Sequence, residues 1–297
     1  MPALHCTLPE KTSMMNDKRQ LKTIRVNDVD LHYVETGEGD PIVLVHGSLS
    51  DFRSWGLQMR AFSKQYHVVA YSRRYHYPNT WTGDGSDYSV ELHAEDLAAF
   101  INTLRLGAVH LIGSSLGAYI ALITAARHPE LTRTLVIGEP PIHPLLKQSP
   151  EGEVFLREFL YTVLEPSKKA FQAGDFELGV KLFIDGVSGA GSFDKLRPLV
   201  RGGLLENALE MKAETTARNY YPRFTKEDAQ RITAPCLLLT GELSPEMFHH
   251  ITEILEGWLT HAERDVVPGA SHSMHTDNPQ KYNETVLRFL AKHRRHV

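Results

Sequence analysis

The pentapeptide Gly113-Ser114-Ser115-Leu116-Gly117 joins an apolar run, Ala108 to Ile112, to an Ala-rich helical stretch that opens at Ala118. A strand that reverses into a helix over so few residues needs a turn too tight for bulky shoulders. Glycines at 113 and 117 leave the backbone free to make it. The central residue of such a turn stands at the edge of the sheet with its side chain exposed. Ser115 is that residue, because Ser115 alone has glycines two places before and two places after it; Ser114 fails the frame.

The rest of the chain reads in the same alternating style. Leu21–Val26 and Val29–Glu35, split by Asn27-Asp28, predict an antiparallel hairpin. Short apolar runs follow at Ile42–Val45, His67–Tyr71, Val109–Ile112, Thr134–Ile137, Cys236–Thr240 and Arg264–Val267. Helical patterns lie between them at Val90–Leu104, Ala118–Arg127, Pro245–Trp258 and Gln280–Lys292. Strands alternating with helices predict an α/β fold, a mostly parallel sheet of about eight strands with helices on both faces. The alternation breaks once, from Pro141 to Arg231, where amphipathic helical segments occur with no strand. The expected organisation is therefore a core of residues 21–140 and 232–297 with a helical cap at 141–231. Ligands of open α/β sheets bind at the carboxyl ends of the strands, so such a cap would wall the pocket. Gly186-Val187-Ser188-Gly189-Ala190-Gly191, inside the cap, lacks the Lys-Ser/Thr pair of a phosphate loop and reads as a flexible connection.

Composition narrows the partners. A net charge of -4 over 297 residues gives no basic face for nucleic acid. No apolar run is long enough to cross a bilayer. Residues 1–20 mix Glu10, Lys11, Asp17, Lys18 and Arg19 without an apolar centre, so they read as a flexible extension and not as a secretory signal. The two cysteines, Cys6 in a polar tail and Cys236 in an apolar strand, do not suggest a disulfide. A cytoplasmic protein acting on a small molecule is the expectation; the oligomeric state is not readable.

His46-Gly47-Ser48 after the third strand, the Ser115 turn, and Pro268-Gly269-Ala270-Ser271-His272 near the end occur in the order, and at the strand ends, where the α/β-hydrolase family keeps its machinery. From about Leu21 onward the chain resembles that family. The resemblance implies a serine nucleophile, Ser115, activated by His272, with a carboxylate behind the histidine and no metal or organic cofactor. A serine hydroxyl is a poor nucleophile until a base within hydrogen-bond reach takes its proton, and an imidazole does so near neutral pH. His275, three residues on, is the alternative base. The resemblance also implies an oxyanion hole from the backbone N–H groups of Ser48 and Leu116, with the His46 side chain packing beneath the loop. His249-His250 read as surface residues of a helix and not as a metal site.

The acid departs from the family pattern. Relatives carry an aspartate three residues after the glycine that ends the strand matching Cys236–Thr240; here Gly241-Glu242-Leu243 leads to Ser244. Three readings stay open: Glu139, directly after strand Thr134–Ile137 in Gly138-Glu139-Pro140-Pro141; Glu242, at the usual strand but two residues early; or no acid at all. Ser72-Arg73-Arg74-Tyr75-His76-Tyr77 replaces the Asp-x-Arg-Gly-x-Gly run of many relatives. Arg74 keeps the arginine, read as tying loops together, and Tyr75 or Tyr77 is a candidate for substrate recognition. The cap aromatics Phe155, Phe159, Tyr161, Phe171, Phe176, Phe183 and Phe193 predict packing residues with a few facing the pocket.

The activity implied is hydrolysis of a carboxylic ester or lactone of a small, fairly apolar molecule. The haloalkane dehalogenases and epoxide hydrolases of the same fold use a carboxylate nucleophile, which Ser115 is not. Carbon–carbon bond hydrolases share the serine and remain an alternative. So does a ligand receptor that keeps the triad with little turnover.

Overall fold

A computed structural model describes residues 20–81, 85–217 and 222–294. The predicted extension, with Cys6, lies outside the described residues apart from Gln20. Eight strands form one sheet: β1 (Lys22–Val26), β2 (Val29–Thr36), β3 (Pro41–Val45), β4 (His67–Tyr71), β5 (Val109–Ser114), β6 (Thr132–Gly138), β7 (Cys236–Gly241) and β8 (Ala262–Val267). Their spatial order is β1-β2-β4-β3-β5-β6-β7-β8. The β1–β2 hairpin and the β2–β4 pair are antiparallel, and every other pair is parallel.

Alternation along the strands sorts side chains onto two faces. Val43, Val45, Leu111, Leu135 and Ile137 pack on one side with the helices Val90–Thr103 and Leu116–Arg127. Ile42, Leu44, Ile112, Val136 and Leu239 pack on the other, against the helices Gly56–Phe62 and Pro279–Ala291. A strand covered on both faces reads as an unbroken apolar run, which is why β3 to β7 are visible in the sequence.

Between β6 and β7 the described residues are helical or irregular, without a strand. The glycine-containing segment read as a flexible connection is instead ordered. The helix Phe176–Ser188 runs through Gly186, and a Cβ on Gly186 would lie 2.4 Å from the Val163 side chain. The chain turns only at Gly189 and Gly191, both at positive φ.

This topology positions one corner of the sheet. β3 lies between β4 and β5; the chain goes from β3 to the face of the helix Gly56–Phe62 and from β5 to the opposite face, that of the helix Leu116–Arg127, so a crevice opens at the carboxyl ends of β3 and β5. Register pairs Val45 with Gly113 and Ser114 with Gly138. The residues that follow β3, β5 and β6 therefore emerge side by side.

Candidate active site

Ser115 links β5 to the helix Leu116–Arg127 with φ 53 and ψ −125, a conformation L-residues rarely adopt. Its N–H donates to the Gly138 carbonyl at 2.7 Å, which ties the turn to the end of β6. The glycines are there for space. A Cβ on Gly117 would sit 2.2 Å from the Val45 carbonyl oxygen, and one on Gly113 2.5 Å from that of Gly117. Gly47 is constrained less tightly from the other side, where its Cβ would lie 3.0 Å from Ser115 Cβ.

Glu139 follows β6 at once, also at positive φ (49°), and is completely buried. One carboxylate oxygen accepts the Gly241 N–H at 2.7 Å; the other lies 2.5 Å from His272 Nδ1. A buried carboxylate with both oxygens engaged is a fixed acceptor, and it holds His272 with its Nε2 edge turned away from the acid. The imidazole also stacks on Phe248, ring centroids 4.2 Å apart at 14°. His272 lines the same cavity as Ser115, Ser48 and Gly47, a space of about 170 Å³.

The other acid candidate is not brought to the histidine. Glu242 is exposed and accepts the Gly269 N–H at 2.7 Å, pinning the turn after β8. Ser244, at the position relatives fill with aspartate, is buried, and its hydroxyl has no hydrogen-bond partner among the described residues. His275 also lines the cavity. Burial takes its pKa down to about 4, so it is neutral near pH 7.

His46 lies beneath the loop that follows β3. Its Nδ1–H donates to the Gly47 carbonyl at 2.9 Å and its Nε2 accepts the Arg73 N–H at 2.9 Å, which fixes a neutral tautomer. Burial first, then the neighbouring His76 and Arg73, hold its pKa well below the usual value. Leu116 opens its helix, where first-turn N–H groups have no acceptor within the helix.

The aromatic candidates after β4 stay out of the cavity. Tyr75 donates its hydroxyl to Asp87 at 2.6 Å and packs on Trp81, while Tyr77 lies under the Arg53 guanidinium. Arg74 is bonded to Asp96 and Asp28, each within 2.9 Å, and does tie loops together. Of the cap aromatics Phe183 reaches the cavity, whereas Tyr161 is 72% exposed. The sequence reading missed Ile184, Val187, Ser188 and Leu204, which complete the cap-side wall, and Ser50, Ser54 and Thr276 on the core side. Helical spacing at 183, 184, 187 and 188 is the signal that could have found the first three. Two broader clefts, of about 660 and 1040 Å³, lie over the cap helices and include neither Ser115 nor His272.

Known proteins resemble the chain in sequence or in fold. A hydrolase of Acinetobacter baylyi named for (E)-2-((N-methylformamido)methylene)succinate is 24% identical over 281 residues, spanning 91% of this chain and 97% of its own. Epoxide hydrolase 3 of Mus musculus is 24% identical over 96% of this chain and 78% of its own length. The solved structure of Est816, described as an N-acyl homoserine lactone degrading enzyme, superposes with a TM-score of 0.72. It is 23% identical and covers 90% of this chain and 100% of its own. The family model of the alpha/beta hydrolases matches residues 42–285, from β3 to the last helix, and the chain belongs to that family.

Proposed function

We propose that the protein hydrolyses a carboxylic ester or lactone of a small molecule through a Ser115–His272–Glu139 triad. One observation carries the reading: a serine, held in the strained turn, shares a cavity with a histidine whose far nitrogen lies 2.5 Å from a buried glutamate. Ser115 Oγ attacks the carbonyl carbon while His272 Nε2 takes its proton. Glu139 keeps Nδ1 protonated and stabilises the imidazolium that forms. The oxyanion is received by the N–H groups of Ser48 and Leu116. The imidazolium then protonates the departing alkoxide, and water repeats the sequence on the acyl-enzyme.

Some relatives are named epoxide hydrolases, and opening an epoxide on this fold calls for a carboxylate nucleophile. Serine at position 115 favours acyl transfer. The lactone named for Est816 agrees with that chemistry. The cavity favours a small acyl or lactone portion, apolar where it meets Phe183, Ile184, Val187 and Leu204, and polar where it meets Ser50, Ser54 and Thr276.

A panel of p-nitrophenyl esters, lactones, a β-diketone and an epoxide tests the proposal against Ser115→Ala and Glu139→Gln. Ester or lactone turnover lost in both variants is the expected result. Turnover of the diketone alone would make this a carbon–carbon bond hydrolase. Ligand-induced thermal stabilisation without turnover of any substrate would make it a receptor.

A further inference from the structure

The oxyanion loop is gripped from two sides by buried charge. Leu49, next after Ser48, has φ 54, which is strained for a leucine. Its N–H donates to Glu210 Oε2 at 3.1 Å. Glu210 comes from the helix Ala208–Thr216 of the insertion and is completely buried. On the core side, Arg73 Nη2 donates to the Gly47 carbonyl at 3.0 Å and Nε to the His46 carbonyl at 3.1 Å. Arg73 and Glu210 lie 3.8 Å apart, and the Tyr88 hydroxyl donates to the same glutamate.

The peptide geometry gives these contacts a consequence. The Gly47 carbonyl and the Ser48 N–H belong to one planar, trans peptide unit, so they point in opposite directions. Holding the carbonyl with Arg73 and His46 aims the Ser48 N–H the other way. The next peptide, Ser48–Leu49, is fixed through the Leu49 N–H by Glu210. A free loop would gain by turning Leu49 out of its left-handed conformation, and that rotation would swing the Ser48 N–H as well. Burial works against the Glu210 charge, but His76, Arg73 and the Tyr88 hydroxyl outweigh it and hold the carboxyl below its usual range.

We infer that Glu210 is a positioning residue for the oxyanion hole: through Leu49 and Arg73, the docked insertion helix holds the Ser48 N–H in its donating orientation. The inference rests on the serine-hydrolase reading of the site. Neighbouring staples do not touch the loop peptide. Asn207 accepts the Tyr77 N–H at 2.8 Å and donates to Asp51 at 3.0 Å, so it joins helix to core without reaching Ser48 or Leu49.

The test compares the parent with Glu210→Ala, Asn207→Ala and the paired variant Arg73→Met/Glu210→Leu. The pair removes both buried charges together, an exchange that buried ion pairs commonly tolerate, and gives a second variant to assay if Glu210→Ala does not fold. Two rates are read: steady-state hydrolysis of p-nitrophenyl butyrate, and phosphonylation of Ser115 by a fluorophosphonate. Both pass through a charged oxygen in the hole. Loss of a whole oxyanion donor costs about 10²–10³ in rate, so a mis-aimed one should cost about 10–100-fold. The folded Glu210 variants are expected to lose that much in kcat and in phosphonylation, with KM changed less than about threefold, while Asn207→Ala keeps both rates. Unchanged rates in a folded Glu210 variant, or an equal loss in Asn207→Ala, would overturn the inference and leave the hydrolase standing. A parent that neither turns over nor labels at Ser115 would overturn both.

Discussion

Glu139 and His272 are 133 residues apart in sequence and 2.5 Å apart in the fold. With the carboxylate as an acceptor-only partner, Nδ1 is the donor and Nε2 is left to take a proton; with an amide in place of the carboxylate, the opposite tautomer becomes equally easy to satisfy. Glu139→Gln should therefore lower kcat by about 10³–10⁴-fold with little loss of fold, since a tautomer error alone has an effect of that size in other triads. Glu242→Gln should stay within about threefold, because its carboxylate only caps the Gly269 turn. The reverse ranking in a kinetic comparison would move the acid to β7. The position of Glu139 was legible because a charge directly after an apolar strand and before Pro140-Pro141 has few ways to reach water. Glu210 was not legible. Its partner Leu49 lies 161 residues away, and on its own helix it reads as an ordinary acidic residue among Ala208, Met211 and Lys212.

At the scale of elements, the site exists because β3, β5, β6 and β7 end together and the helix Leu116–Arg127 approaches β3 closely. Gly117 is the point of approach, with no space for a Cβ beside the Val45 carbonyl. Gly117→Ala should cost roughly 3 kcal/mol of stability, as overpacking does where backbone must move. A urea midpoint equal to the parent's would show that helix and strand separate more easily than their packing suggests. On the cap side, Val187 projects from the helix Phe176–Ser188 into the cavity wall. Val187→Ala should shift the preference among p-nitrophenyl esters toward longer acyl chains by roughly tenfold in kcat/KM, the scale set by one or two methylenes in an apolar pocket. An unchanged profile would place the acyl chain elsewhere. Strands β3 to β7 could be read from sequence because burial on both faces makes them continuous apolar runs. The helix Gly56–Phe62 was missed, being too short for a period to show. The ordering of Gly186 comes from a contact with Val163, which no local pattern announces.

Across the whole molecule, polarity is also buried as neutral imidazole. His110, His143 and His275 lie in three different parts of the fold, and burial takes each pKa from the usual 6.5 down to about 4. In the unfolded chain they take protons as the pH falls through 6.5; in the folded chain they refuse them until about 4. The unfolded state therefore binds more protons throughout that window, and stability falls with decreasing pH across it. Each histidine contributes a loss of roughly 2 kcal/mol between pH 7.5 and pH 5, together roughly 6 kcal/mol, a large part of the total for a domain of this kind. The depressed carboxyl of Glu210 works in the same direction only lower down, where its stabilisation is lost as pH drops below the ordinary carboxylate range. Denaturant unfolding followed at half-unit steps from pH 7.5 to 4.5 should show the midpoint falling steeply below 6.5, before the acids titrate. His110→Gln, which keeps a polar group near Thr134, should flatten that slope only in part, because His46 and the other buried histidines still refuse protons over the same range. A midpoint independent of pH over this range would mean that the buried histidines are charged in the native state, each with a counter-charge not evident from its packing.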